Sequence, residues 1–283
     1  MGAIASLFGY LLNWLYSFLQ NYGLAIILFS IILKIILLPI SIKQQKTMKK
    51  SAKIQAKMKE IQSKYKNDPE RLNQETISLY RTEKMSPFSG CLSSIAQLVL
   101  LFAVFYLVKS PLTYMKKVDP EVIKNYQNEI IQEYPDKQKS AYPEIEVIQY
   151  KGPQDERVNL NMDFFGIDLS KVPTQSLNDP RVYIIPVLYV ISSFVMMRIT
   201  TAMQNGEKDK KEKEQKKEEP NELDAMAQAN KSMSLIMPIM SVSIAIIAPL
   251  GLALYWLVSN ILMIIERLIL NKISDDKEEK ENA

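Results

Sequence analysis

Residues Tyr22–Ile42 read YGLAIILFSIILKIILLPISI, an apolar run interrupted by one charge, Lys34. A helix of about 20 mostly apolar residues spans a bilayer, so this run predicts a transmembrane helix. A charge near the middle of such a helix costs roughly 2.5–3.5 kcal/mol on insertion scales. Residues that carry this cost face a bundle interior or a watery cavity, and they mark function. Lys34 is therefore the first candidate functional residue. Ser30 lies one turn before it on the same helix face.

Outward from this run, four more apolar blocks alternate with charged stretches: Phe88–Val108, Val182–Met203, Ser232–Ala248 and Gly251–Leu270. With their flanks they define spans at residues 21–42, 87–109, 181–203, 232–248 and 250–270. The fold class that follows is an all-α integral membrane protein with five transmembrane helices. Only Pro249–Leu250 separates the last two spans, so they form a tight antiparallel hairpin, and Pro238 kinks or weakens the first of them.

Residues 1–20 precede the first span without any Lys or Arg. Ile4, Leu7, Phe8, Leu11, Leu15, Phe18 and Leu19 recur at helical spacing, with Ser6, Asn13, Ser17 and Gln20 largely on the other side. Tyr10, Trp14, Tyr16 and Tyr22 suit the headgroup level. This segment reads as an amphipathic interfacial helix. It has no basic n-region and no cleavage site after an apolar core, so it does not read as a signal peptide.

Residues 43–86 carry a dense set of Lys and Arg. The positive-inside rule places them in the cytoplasm, the N-terminus outside and, after five spans, the C-terminus inside. The segment reads as a basic helical hairpin. Ile54, Met58, Ile61 and Tyr65 stripe its first arm. Asn67–Asp68–Pro69 breaks the two arms, with Asp68 as N-cap and Pro69 at the first helical position. Two uses fit the basic arm: a solvated surface that binds anionic lipid headgroups, or a mobile arm that contacts ribosome, targeting factor or incoming chain. Residues 110–180 form an external segment of mixed charge, with prolines that include Pro120, Pro135, Pro143, Pro153 and Pro173, and no recognisable site. Residues 204–231 hold a nearly balanced charge run that predicts a disordered cytoplasmic loop. Residues 271–283 form a short cytoplasmic tail.

The chain has no histidine and one cysteine, Cys91. Imidazole acid–base chemistry, Ser–His and Cys–His pairs and most zinc and haem sites are thereby excluded. Cys91 reads as a small apolar residue within a helix. No catalytic residue, metal or cofactor is expected. The remaining polar positions within the spans are candidate groove or substrate-contact residues: Gln97, Ser193, Ser259 and Asn260, with Tyr255 and Trp256. Serines in membrane helices also serve close packing, and Tyr255–Trp256 could equally anchor an interface.

Several stretches together resemble the YidC family of membrane insertases, which is related to the mitochondrial and chloroplast oxidase-assembly proteins. NYGLAIILFSIILKIILLPISIKQQK (Asn21–Lys46) is similar to the family's first core span and its exit into a basic hairpin. KYKNDPERLNQETISLYR (Lys64–Arg81) is similar to the hairpin's turn and second arm. SPFSGCLSSIAQLVLLFAVFY (Ser86–Tyr106) resembles the N-P-x-x-G-C-L-P segment and second span. FFGIDLSK with DPRVYIIPVL (Phe164–Lys171, Asp179–Leu188) resembles the lead-in to the third span. SLIMPIM and PLGLALYWLVSN (Ser234–Met240, Pro249–Asn260) resemble the final hairpin.

The resemblance implies a five-span member of Gram-positive type in the bacterial plasma membrane. Its helices would enclose a polar groove open to cytoplasm and lipid but closed to the outside. It implies an insertase and assembly chaperone, not an enzyme. Short hydrophilic segments of substrate would pass through the groove while their hydrophobic segments are released to lipid. Lys34 would attract acidic residues and hydrate the groove, and Tyr255 and Trp256 would contact sliding substrate. Partners implied are nascent membrane proteins, the ribosome and the Sec translocon through the hairpin, and lipids, with no specific nucleic acid. The sequence departs from the family pattern in having Lys34 where Arg is usual, Leu92–Ser93–Ser94 after Cys91, a short acidic tail and a longer external loop. A small solute or ion transporter is the alternative, disfavoured because no internal repeat is present. A Ser30–Lys34 protease is a remote third reading.

Overall fold

The computed structural model describes residues 2–66, 68–83, 89–135, 140–204 and 245–282, with side chains omitted at some of these positions. The chain divides into two compact units. One comprises Met1–Ile35, Leu101–Met197 and Glu218–Ala283, the other Ile36–Leu100 and Arg198–Lys217.

In the first unit, α1 (Gly2–Leu19) ends at Gln20, whose φ of 49° turns the chain into α2 (Tyr22–Lys64). The buried face of α1, Ala5, Gly9, Leu12 and Leu15, packs on a π-turn at Leu112–Lys116, just beyond the end of α4 (Ser89–Lys109). Gly9 is required there. A β-carbon at this position would lie 1.8 Å from the Tyr114 carbonyl oxygen. Lys117 adds a hydrogen bond from Nζ to Ser6 Oγ at 2.9 Å and sits over the Tyr10 ring.

The 110–180 segment is ordered by local polar bonds rather than by long periodic elements. Asp119 caps α5 (Pro120–Glu133) by accepting from the Glu121 amide at 2.8 Å, and Pro120 occupies the first turn, where its missing N–H is harmless. α6 (Pro143–Lys151) packs against α5, and the Lys151 ammonium lies between Glu129 and Glu133 at 3.1 and 2.8 Å. Glu144 is buried and accepts from both the amide and the hydroxyl of Thr113, at 3.0 and 2.6 Å. Burial nonetheless raises its pKa above the usual carboxylate value. A two-residue hairpin pairs β1 (Asp163–Phe164) with β2 (Ile167–Asp168). Its turn residues Phe165 and Gly166 both have positive φ, as a tight hairpin turn requires.

Also within this unit are α7 (Ile184–Gln204) as far as Met197, and α8 (Leu250–Asn282). Large apolar side chains stand exposed along both: Ile184, Val187, Leu188, Ile191, Phe194 and Val195 on α7, and Ile261, Ile265, Leu268, Ile269 and Ile273 on α8. Apolar surface of this extent is expected where lipid replaces water.

The second unit contains the rest of α2 and α3 (Pro69–Thr82). Helix α2 runs unbroken through Pro39 to Lys64, so no break separates the apolar run from the basic arm at residue 43. The Lys- and Gln-rich sequence after Ile42 is a good helix former, and nothing in it stops the helix. Asp68 caps α3, its carboxylate accepting from the Arg71 amide at 3.1 Å, with Pro69 at the first position. α3 returns along α2, with Thr76 Oγ1 3.5 Å from Met58 Sδ and Lys57 Nζ 2.6 Å from Glu83 Oε1.

Among the described residues four helices have the length and composition to cross a membrane: Gly2–Leu19, Tyr22–Thr47, Pro180–Ala202 and Leu250–Ile273. Leu98–Lys109 is a shorter apolar helix. The chain is thus a mostly helical membrane protein. The set differs from the expected five spans. Gly2–Leu19 qualifies on composition alone, and the expected span at 87–109 is represented by its shorter apolar part. The expected span Ser232–Ala248 and the charged loop at 204–231 lie almost wholly outside the described residues.

Candidate site: an intramembrane ion pair

Helices α2 and α8 run parallel where they meet. Gly251, at the start of α8, lies against Tyr22 and Ile26 at the start of α2, where an added β-carbon would stand 3.5 and 3.9 Å from those side chains. Further along the same pair of helices, Lys34 Nζ forms an ion pair with Glu266 Oε2. At 1.5 Å per residue Lys34 lies about 18 Å along α2 from Tyr22, past the midpoint of a hydrocarbon layer about 30 Å thick.

The two partners are unequal. The Lys34 side chain keeps 23% of its exposure and that of Glu266 only 9%. Glu266 Oε1 is buried and has no hydrogen-bond partner among the described residues. An ion pair taken out of water gains in mutual attraction roughly what it loses in solvation. Net stabilisation therefore does not explain why these two charges are in the membrane.

Glu266 was not among the residues singled out from the sequence, although it falls inside the last apolar block. An acid near the end of such a block looks like the start of the following polar segment. The signal that could have found it is helical spacing: Tyr255, Ser259 and Glu266 stand at i, i+4 and i+11, one face of α8. That face turns Glu266 to α2. The neighbouring face, Trp256 and Asn260, turns to α7. Asn260 Nδ2 donates to Ser193 Oγ at 2.9 Å and to Ser192 Oγ at 3.4 Å, and the Trp256 and Tyr189 rings lie 5.9 Å apart.

The other sequence-derived residues fall as follows. Ser30 is buried and its hydroxyl donates to the Ile26 carbonyl at 2.7 Å, so it bonds its own helix instead of Lys34. Tyr255 is buried, within hydrogen-bonding reach of Ser259. The Gln97 side chain lies outside the described positions. The structure thus joins Ser193 to Asn260 and Tyr255 to Ser259, and gives Lys34 a counter-ion. Among the described residues no cluster of three or more His, Cys, Asp or Glu side chains could hold a metal ion.

The 110–180 segment is bonded to the starts of both α2 and α8. The Tyr22 amide donates to the Asn161 carbonyl at 3.0 Å, and Asn21 Nδ2 donates to the Asp163 carbonyl at 2.6 Å. The Leu250 and Gly251 amides donate to the carbonyls of Lys171 and Leu169, each at 2.9 Å. Two of the first-turn N–H groups of α8 are thereby satisfied by another part of the chain, and the Leu252 and Ala253 amides donate to the Pro249 carbonyl. Lys171 and Arg181 both pair with Asp179, at 2.9 and 3.0 Å, holding this region in place and drawing the Asp179 pKa down to about 2.

These features define a multi-pass helical membrane protein in which the 110–180 segment is bonded to the starts of α2 and α8 and an ion pair lies further along the same two helices. Comparison with known proteins narrows the class. The family described as 60Kd inner membrane protein matches residues 14–278, and the chain belongs to that family. A Fusobacterium nucleatum protein named "Membrane protein insertase YidC" is 28% identical over 264 residues, covering 93% of this chain and 92% of that protein. A Caldanaerobacter subterraneus protein of the same name is 26% identical over 269 residues, covering 95% and 94%. A longer Syntrophobacter fumaroxidans protein of that name is 26% identical over 263 residues, which cover 93% of this chain and 37% of that protein. The chain is accordingly a multi-pass bacterial membrane protein.

Proposed function

We propose that this protein is a membrane-protein insertase and assembly chaperone. The observation that carries the proposal is the position of Lys34: a partly exposed ammonium deep along a membrane helix, well past the helix starts to which the 110–180 segment is bonded. With those starts as the closed end, such a site admits a hydrophilic segment from the other end only. The names of the full-length relatives support the same reading, and they do not favour the transporter alternative.

In this reading the closed end is outside the cell, with the N-terminus there, and the basic hairpin and the tail are cytoplasmic. Five spans enclose a hydrated groove that Lys34 faces. A short acidic, outward-going segment of a nascent membrane protein enters the groove. Its hydrophobic segment then leaves sideways into lipid. Water and charge in the groove shorten the hydrocarbon path that polar residues must cross, which lowers the barrier without nucleotide hydrolysis. Tyr255, Trp256, Ser259, Asn260, Ser193, Gln97 and Ser30 line or support this path. α1 lies in the outer interface, its exposed Leu7, Tyr10, Trp14 and Phe18 turned to lipid. The hairpin, with its surface lysines, meets ribosome, Sec translocon and anionic headgroups.

Reconstitution of the purified full chain in liposomes, with a short single-span protein as substrate, tests the proposal. Insertion faster than into empty liposomes is expected. Equal rates would refute it.

A further inference from the structure

Glu266 has no part in the mechanism just described, yet it is the group that Lys34 contacts. Its carboxylate is chemically the side chain that an acidic substrate segment would present. Glu266 already neutralises the Lys34 charge, so a substrate carboxylate must either displace Glu266 Oε2 or share the ammonium with it against the repulsion of two like charges. We propose that Glu266 is an internal competitor for the groove cation, one that sets how many acidic residues a substrate segment needs in order to engage Lys34. The inference rests on the insertase reading and deepens it.

Three observations carry the inference. Lys34 and Glu266 carry opposite charges and are in direct contact, so the two groups together contribute no net charge. The cation is the more accessible member, at 23% against 9%, so an incoming anion meets Lys34 first. Finally, the covered carboxylate has one oxygen on Lys34 and the other without a partner among the described residues. Glu266 is thus held by one strong contact, and exchange with a substrate anion removes one ion pair while making another. An exchange of like for like is nearly balanced, so small differences in substrate charge decide it. A neutral segment has nothing to exchange, and its passage leaves the pair intact.

The other charge on this part of α8 is Arg267, adjacent in sequence. Its position on α8 is one residue, about 100°, around the helix from Glu266, away from the face directed to α2.

The test uses the full chain in liposomes with two single-span substrates that differ only in the outward-going segment, one with two Asp residues and one with the same positions Asn. The readout is the ratio of their insertion rates. Glu266→Gln removes the competitor, and the acidic-to-neutral ratio is expected to rise several-fold over the wild type. The exchange variant Lys34→Glu/Glu266→Lys keeps the pair and guards against failure to fold. It places the anion at the accessible position, so a substrate with two Lys residues should become the preferred one. An unchanged ratio in Glu266→Gln, or an equal fall in both rates, would overturn the inference and leave Glu266 a structural counter-ion. Retained preference for acidic segments in the exchange variant would overturn it as well. Failure of the wild type to insert either substrate would instead overturn the insertase reading, and the inference with it.

Discussion

Asn260 and Ser193 meet across two membrane helices, the amide of one donating to the hydroxyl of the other at 2.9 Å, with Ser192 a weaker second acceptor at 3.4 Å. Hydrogen bonds between membrane helices contribute about 0.6 kcal/mol on average and up to about 1.7 kcal/mol. Asn260→Leu should therefore lower stability in detergent by about 1 kcal/mol. Ser193→Ala on top of Asn260→Leu should add little, because the bond is already gone. A double-mutant cycle from chemical denaturation measures this coupling. Strict additivity of the two losses would show that the bond contributes nothing.

Lys34 should be more sensitive to the sign of its replacement than to its shape. Lys34→Arg keeps a cation beside Glu266. Lys34→Glu sets two carboxylates against each other and repels acidic segments. Insertion of an acidic substrate should fall far more in Lys34→Glu than in Lys34→Arg, and equal losses in cells would contradict the electrostatic part of the proposal. Lys34→Ala removes the ion-pair partner of a covered carboxylate, a loss of about 3 kcal/mol on the scale of broken buried pairs. Lys34→Ala/Glu266→Gln should recover most of that loss in thermal unfolding.

Gly9 should tolerate no side chain. The nearest atoms to an added β-carbon are backbone, the Tyr114 oxygen at 1.8 Å and carbon at 2.5 Å, so the clash cannot be relieved by a rotamer change. Gly9→Ala is expected to cost about 1–3 kcal/mol, in the range of overpacked contacts. It should also lift α1 from the Leu112–Lys116 turn. Faster amide hydrogen exchange over the Leu112–Lys116 turn on introducing Gly9→Ala reports that movement. Unchanged exchange would contradict it.

Asp179 gives the 110–180 segment a defined acid sensitivity. Its folded pKa, about 2, lies below its ordinary value of 3.8, because Lys171 and Arg181 favour the carboxylate. A depressed acid stabilises the fold above its unfolded pKa, and that contribution is lost as pH falls from about 4 to about 2. Protease resistance of residues 168–183 should fall across this window in the wild type. Asp179→Asn should be weaker at neutral pH and show a flatter profile over the same range. A wild-type profile as flat as that of Asp179→Asn would exclude the linkage.

What could be read in the sequence was local or periodic. Tyr22–Ile42 declares a membrane helix by length and composition, and Asp68–Pro69 declares a helix start because cap and first-turn chemistry act within a few residues. The helicity of the basic arm was legible in its Ile54, Met58, Ile61 and Tyr65 stripe, but the continuity of α2 across Ile42 was hidden by its change from apolar to basic, since lipid and water both accept a helix and only the side chains change. Glu266 was hidden because its partner lies on the first core span, far away in the chain. The 110–180 segment was hidden for another reason. Its two-residue strands and short helices are held by Asp and Asn side chains, turn amides and single ion pairs, which leave no period to detect.

The bonds from Leu250 and Gly251 to Lys171 and Leu169 also set a schedule. A ribosome releases the acceptor carbonyls first and the donor amides only after about eighty more residues, a delay of about 4–16 s at 5–20 residues per second. Until α8 has emerged, those two carbonyls have no donor from it. These two contacts thus form only after α8 has been made, well after the segment that supplies their carbonyls. Truncation before α8 would leave a chain that is lacking one helix and also both of these contacts.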